Sequence, residues 1–294
     1  MATKEATVKL LRMSVAGVLR NIGKAPWPVV LLLPIIVCGI FGPLFYPHDP
    51  NHMNLNLALQ PPAWMPGGDP SYFLGTDNLG RDMLSRLIEG ARASLIVSVV
   101  GVAIAGGIGV ILGMMAGYFG GALDNIIMRI VDSWMSIPVI LFMLLLSAIM
   151  GGGLTTIIIS IGIIFWTGYA RVVRGVTLSI KQREFVALAN VTGCSNLRVL
   201  WKHVFPNLVD TIVVMATLQL GTAIMIEASV TFLGLGIQPP DTAWGLIVAD
   251  GRKYMSTAWW LPTFGGLAIM ITVLGANLTG DWLRDKLDPR LRQM

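Results

Sequence analysis

The chain has 294 residues, of which 54% are hydrophobic and 13% are charged, and its mean hydropathy is +0.72. Soluble domains carry about 25% charged residues, so this composition excludes an ordinary water-soluble domain and places the chain in a bilayer. The formal net charge of +5 is dispersed along the sequence, which indicates membrane orientation and excludes a nucleic-acid-binding module.

Residues 1–27 are predicted to form a basic amphipathic segment on the cytoplasmic membrane surface. Val8, Leu11 and Val15 recur at helical spacing, and lysines and arginines stand between them. This pattern is typical of a helix lying on anionic lipid, and a solvated tail is the alternative.

Six apolar segments are long enough to cross a bilayer, which takes about 20 residues. They are residues 28–46, 94–116, 126–149, 154–173, 208–232 and 258–279. We therefore predict an all-α integral membrane protein. Its parts are a first transmembrane helix (28–46), a five-helix core (94–279) and a cytoplasmic tail (280–294).

Two of these spans carry features that predict their shape. Pro138 lies inside the third span and predicts a kink, because proline removes a helical hydrogen bond. The second span has small residues at every fourth position, which lets a neighbouring helix approach closely. They are Ala105, Gly109, Gly113 and Gly117.

The distribution of positive charge predicts the orientation of the spans. With the N-terminus inside, 16 of the 21 Lys and Arg residues lie on the inner side. Because cytoplasmic loops are enriched in Lys and Arg, both termini are expected on the cytoplasmic side of the membrane.

Residues 47–93 are then an external loop. Pro61, Pro62 and Pro66 predict that it is extended. The stretch from Asp77 to Arg86 is expected to form an interfacial helix that leads into the second span. His48 and His52 lack the further ligands that a metal site needs, so we predict none.

Two groups of ionisable residues lie within the spans. Arg129 and Asp132 stand three residues apart in the third span and are expected to pair with each other. Glu227 lies deep in the fifth span, where a carboxylate must face water or the helix bundle. It is a candidate for the substrate pathway, and a helix–helix hydrogen bond is the alternative.

The most unusual segment is a polar stretch, residues 174–207, between the fourth and fifth spans. Its pattern predicts one helix from Leu178 to Thr192, with Gly193 as the C′ residue, and a second helix from Ser195 to Pro206. Such a rigid helix–turn–helix knob, with an apolar stripe, fits the groove of a partner protein. Packing of the stripe on the bundle itself is the alternative.

The knob resembles the cytoplasmic loop motif of ABC importer permeases. The matching positions are Ala187-Leu188-Ala189, Gly193 and Val204-Phe205-Pro206, with Ala187 where the family usually has Glu. Other segments resemble the second-permease subunit of dipeptide, oligopeptide and nickel importers. They are FLGTDNLGRDMLSRLIEGARASL (73–95), AGYFGGALDNIIMRIVD (116–132), SVTFLGLGIQPPDTAWG (229–245) and GDWLRDKLDPRL (280–291).

The resemblance implies a type I importer permease with a MetI-like fold and no catalytic residues. It implies a second permease, two cytoplasmic ATPases that hold ATP and Mg, and an extracytoplasmic substrate-binding protein. ATPase coupling would fall on ten residues of the knob, namely Glu184, Phe185, Ala187, Leu188, Ala189, Gly193, Leu197, Val204, Phe205 and Pro206. The absence of a G-x-x-x-x-G-K-[ST] phosphate loop agrees with hydrolysis in another chain.

The implied cargo is a di- or oligopeptide, and nickel or another small solute is the alternative. A self-contained secondary transporter is the competing class. It would be expected to show inverted repeats and more ionisable groups within the spans. A scaffold subunit without a transport role is the third reading.

Overall fold

The computed structural model describes residues 27–287, and the regular elements in that range are helices. Ten α-helices occur within the described residues. They are α1 (Trp27–Phe41), α2 (Met83–Phe119), α3 (Gly121–Met135), α4 (Val139–Met150), α5 (Leu154–Lys181), α6 (Glu184–Val191), α7 (Asn196–Val199), α8 (Val209–Phe232), α9 (Trp244–Gly251) and α10 (Trp260–Leu287). The segment predicted to be amphipathic, apart from Trp27, lies outside the described residues, as does the end of the predicted C-terminal tail.

The predicted spans correspond to helices that are long and apolar enough to cross a membrane. Five of them are continuous in the described range, and the pair α3 and α4 would supply a sixth. That pair is bent by 85° at Ser136–Pro138. The kink predicted at Pro138 is therefore a full break, with Pro138 at the N-cap of α4. A break is favoured there because proline cannot donate the hydrogen bond that continuation of α3 would require.

Two predicted boundaries differ from the structure. The interfacial helix expected between Asp77 and Arg86 does not form as a separate element. Instead α2 starts at Met83 and runs without interruption to Phe119. Asp82 caps it, since its side chain accepts a hydrogen bond from the Ser85 amide at 3.0 Å. At the other end of the chain, the first part of the predicted tail continues α10 as far as Leu287.

The centre of the bundle is a close contact between α2 and α5. A Cβ atom placed on Gly109 would lie 2.3 Å from the Trp166 carbonyl oxygen, and one on Gly113 would lie 2.6 Å from the Ala170 carbonyl oxygen. Only glycine permits this approach, so the predicted packing role of the small-residue ridge is confirmed.

The loop before α2 is folded and not extended. Its two halves pair through main-chain hydrogen bonds, including Leu59 N to Asp77 O at 2.9 Å and Thr76 N to Gln60 O at 3.0 Å. The Trp260 indole N–H donates to the Thr76 carbonyl oxygen at 3.2 Å, which fixes the loop to the start of α10. The prolines predicted an extended chain because proline patterns report local geometry and not the tertiary contacts that fold the loop back.

Candidate functional site: a helical knob and its anchorage

In the structure, the part of residues 174–207 that forms the knob is residues 184–207, because residues up to Lys181 belong to α5. The knob connects α5 to α8. The helix predicted from Leu178 to Thr192 is interrupted, because Arg183 adopts an extended conformation (ψ 147°) between α5 and α6. The interruption turns α6 away from the axis of α5, so that one of its faces reaches the bundle. No proline or glycine marks this break, and the sequence pattern therefore did not reveal it.

The turn between the two helices of the knob follows the prediction. Gly193 has φ +80°, which is the left-handed conformation that glycine adopts without cost at a helix C′ position. Ser195 occupies the N-cap of α7, although its side chain makes no capping hydrogen bond. A π-helical turn (Leu200–Val204) and a 3₁₀ turn containing Pro206 then lead into α8.

One face of the knob packs on the bundle. Val186, Val199 and Val204 are completely buried, and Ala189 is 7% exposed. They belong to the same hydrophobic core as the α2–α5 contact. Movement of the knob must therefore be transmitted to the bundle, because these side chains cannot separate from it without exposing apolar surface.

The opposite face is apolar and uncovered within the described part of the chain. We call this face the knob patch, and it consists of Phe185, Leu188, Val191, Leu197 and Trp201. Leu188 is 64% exposed, Leu197 67% and Val191 86%. Packing on the bundle is therefore confirmed for the buried face, and docking of a partner on the knob patch stays a prediction.

The ten predicted coupling residues divide between these two faces. Ala189 and Val204 are buried, and Phe205 is half-buried, so these three lie on the bundle side. The rest are exposed, namely Glu184, Phe185, Ala187, Leu188, Gly193, Leu197 and Pro206. Val191 and Trp201 are exposed apolar residues that the motif did not include.

A tyrosine at the end of α2 holds both helices of the knob. The Tyr118 hydroxyl lies 3.2 Å from Asn190 Oδ1 in α6 and 3.2 Å from Asn196 Oδ1 in α7. Lys181 Nζ stands 5.7 Å from the centre of the Tyr118 ring, in cation–π range. Sequence reasoning missed Tyr118, because a tyrosine just after a predicted span carries no local signal of its partners.

Ion pairs connect α3 to α5 at the same end of the bundle. Arg174 binds Asp124 through two hydrogen bonds, and Arg171 pairs with Asp132. The predicted pair between Arg129 and Asp132 was therefore wrong. Spacing along one helix suggested it, whereas the folded structure brings Arg171 of α5 against Asp132.

Glu227 lies between α2 and α8 and is completely buried. Its carboxyl group accepts hydrogen bonds from Ser94 Oγ at 3.1 Å and from Thr231 Oγ1 at 2.9 Å. This is the geometry of a helix–helix hydrogen bond. A role of Glu227 in the substrate pathway stays a prediction.

A buried charge cluster fixes the far end of the bundle, opposite the knob. Asp77 accepts from Arg81 Nε at 2.7 Å and also binds Arg86, and all three side chains are buried. Asp250 in α9 lies 3.9 Å from Arg86. Burial raises the pKa of the Asp250 carboxyl, and the neighbouring arginines oppose that rise.

One of the two histidines of the same loop, His48, takes part in this structure. His48 stacks on Tyr72 with ring centres 4.6 Å apart, and its Nδ1 lies 3.6 Å from Asp82 Oδ2. Within residues 27–287, no three His, Cys, Asp or Glu side chains are grouped as a metal site would require.

Comparisons of this chain with a family model and with known proteins agree on one family. Residues 109–293 match the model of the family described as "Binding-protein-dependent transport system inner membrane component". The chain is 39% identical over 264 residues to the "Di/tripeptide transport system permease protein DppC" of Pseudomonas aeruginosa, covering 90% of this chain and 87% of that protein. It is 38% identical to the "Oligopeptide transport system permease protein OppC" of Bacillus subtilis, covering 90% and 85%.

The fold also matches a solved structure. An inward-facing form of the MetNI methionine ABC transporter aligns with a TM-score of 0.58 at 20% sequence identity. The alignment covers 70% of this chain and 98% of the chain in that structure. At this identity the match shows a common fold, which is the predicted MetI-like helical architecture.

Proposed function

Because the chain belongs to the family of binding-protein-dependent transport system inner membrane components, we propose that it is one permease subunit of an ATP-driven importer of di- or oligopeptides. A second permease completes the pathway, and a substrate-binding protein delivers the peptide. The peptide assignment is supported by the names of the relatives. This chain matches those relatives over most of their length.

The knob patch carries this proposal, since it is the surface that a cytoplasmic ATPase would grip. It presents five apolar side chains beside the polar ends of α5 and α8. Exposed apolar groups rimmed by polar ones are typical of a protein–protein contact. ATP and Mg are held by the ATPases, and this chain performs no covalent chemistry.

Force would pass from the knob to the spans by two routes. The first is the buried face of the knob, where Val186 and Val199 join the core between α2 and α5. The second is the Tyr118 hydroxyl, which ties both helices of the knob to the end of α2. Closure of the ATPases would therefore tilt α2 and α5 together and switch access to the pathway.

The orientation follows from the same assignment. With the knob in the cytoplasm, the positive-inside rule is satisfied, and both termini lie on the cytoplasmic side of a bacterial plasma membrane. The folded loop and the Asp77 charge cluster then face outward, where the binding protein delivers peptide.

The test is whether a charge on the knob patch releases the ATPase. In the assembled transporter, Leu188→Asp and Leu197→Asp should each abolish co-purification of the ATPase subunits and stop ATP-driven peptide uptake. The matched control is Met255→Asp, because Met255 is 61% exposed and lies after α9, at the other end of the bundle. Retention of the ATPase by both knob variants would overturn the proposal.

A further inference from the structure

The break between α3 and α4 opens a hollow of about 190 Å³ in the side of the bundle. Its walls come from α3, α4, α5 and α8, and they include Trp134, Ile137 and Phe165. Interrupted helices within a membrane are tolerated where they are buried in protein or line a water-filled cavity. The hollow is therefore a candidate for part of a pathway across the membrane.

Gln219 places a carboxamide in this hollow. It is the eleventh residue of α8, so it lies about 15 Å along the helix from the first residue, near mid-membrane. A Cβ atom on Gly168 of α5 would stand 3.5 Å from Gln219 Nε2, which places the amide group against the glycine. The glycine leaves the carboxamide room that a larger residue would occupy.

Two of the polar groups that line the hollow are unused within residues 27–287, whereas the Thr167 hydroxyl donates to the Ile164 carbonyl oxygen at 3.1 Å. The Gln219 carboxamide has no hydrogen-bond partner there, and neither has the Trp134 indole N–H. By contrast, Thr222, one turn further along α8, satisfies its hydroxyl on the Leu218 carbonyl oxygen at 3.2 Å. An unpaired amide in hydrocarbon costs roughly 2–7 kcal/mol, so Gln219 must face water, a solute or another chain.

The exposure of α8 agrees with this requirement. Only 22% of its most apolar stretch is buried within this chain, against 61% for α5. A polar group on such a weakly covered helix indicates a face that is turned toward the pathway and away from lipid.

We propose that Gln219 lines the translocation pathway at mid-membrane and hydrogen-bonds the main-chain amide of a peptide in transit. A carboxamide both donates and accepts, so it matches a peptide group whatever the side chains of the cargo are. Gln219 thereby sets specificity for main-chain amides. This inference rests on the proposed function, since it names the group by which that peptide is recognised.

The experiment measures ATP-driven uptake into proteoliposomes that contain the full transporter, with binding protein at saturation. The two probes are radiolabelled Ala-Phe and Ala-(N-methyl)Phe, which lacks the peptide N–H. Gln219→Leu removes the carboxamide at similar size, and Thr222→Val is the control on the same helix. Because each variant is compared with wild type for the same probe, selection by the binding protein cancels.

Gln219→Leu should lower Ala-Phe uptake about tenfold, which corresponds to about 1.4 kcal/mol. It should lower Ala-(N-methyl)Phe uptake only about threefold, because the bond to the peptide carbonyl oxygen is the one that remains to be lost. Thr222→Val should match wild type with both probes. An equal loss with both probes, or no loss, overturns the inference. Failure of the wild-type transporter to import either probe would instead count against the proposed function.

A second measurement keeps the inference testable if Gln219→Leu fails to assemble. In a Cys38→Ala, Cys194→Ala background, Gln219→Cys should react with a water-soluble methanethiosulfonate reagent during ATP turnover, and excess Ala-Phe should slow that reaction at least threefold. A thiol that stays unreactive would assign Gln219 to a contact with the second permease and overturn the inference.

Discussion

Gly109→Ala tests the tightest helix contact in the bundle. The added Cβ atom would lie 2.3 Å from the Trp166 carbonyl oxygen, 2.5 Å from Tyr169 Cβ and 3.1 Å from the Ala170 amide nitrogen. Unstrained C···O contacts are about 3.3–3.6 Å, so α2 and α5 would have to separate by about 1 Å. Two of the three atoms are backbone and cannot rotate away.

The control is Gly107→Ala, two residues away on the same helix, where an added Cβ meets nothing within 4 Å. Both variants gain about 1 kcal/mol of helix propensity, so this gain cancels in their comparison. What remains is the overpacking cost at Gly109, about 1–3 kcal/mol. We expect Gly109→Ala to be less stable than Gly107→Ala by this amount.

The assay is unfolding of the full chain in dodecyl maltoside by added sodium dodecyl sulfate, followed by the fluorescence of its nine tryptophans. The two variants should differ in midpoint, with Gly107→Ala at or above wild type. If they unfold within about 0.5 kcal/mol of each other, α2 and α5 are not in the close contact from which the cost was derived.

Two further predictions concern the ends of the bundle. Tyr118→Phe should leave the ATPase bound but raise the ATP hydrolysed per peptide imported at least threefold. The reason is that it removes the single hydroxyl proton shared between Asn190 and Asn196, and a lost hydrogen bond weakens the connection to the knob by about 0.5–1.5 kcal/mol. An unchanged ratio in proteoliposomes would remove Tyr118 from the coupling route. Asp77→Ala should make the folded loop before α2 sensitive to limited proteolysis, because two buried arginines lose their nearest carboxylate and keep only the more distant contacts with Asp250 at 3.8 Å and 3.9 Å. Removing one partner of a buried ion pair costs about 3–5 kcal/mol. Asp69→Ala, which removes an exposed turn contact with Ser71, is the control, and equal protease resistance would contradict the argument.

Patterns within single segments of the sequence predicted the features of the fold that residues close in sequence determine. Hydropathy located the spans, because bilayer thickness fixes their length. The spacing of Gly109 and Gly113 predicted close packing, and Gly193 predicted the turn of the knob, because only glycine suits both places.

The remaining features depend on residues far apart in the sequence. Asp132 pairs with Arg171, and Tyr118 reaches Asn190 and Asn196. No pattern within one helix contains such contacts. The motif located the knob but could not separate its buried face from its exposed one, since that division depends on how α6 turns at Arg183.

The folded loop has a consequence for how the protein is made. Residues 47–82 are synthesised early, but Thr76 is held by Trp260, and Trp64 packs edge-on against Phe264. In a nascent chain this segment therefore lacks its contacts with Trp260 and Phe264 until α10 has emerged from the ribosome. We expect the segment to be protease-sensitive throughout elongation and to become resistant only when the chain is complete. A truncated product would therefore be open to proteases at residues 47–82.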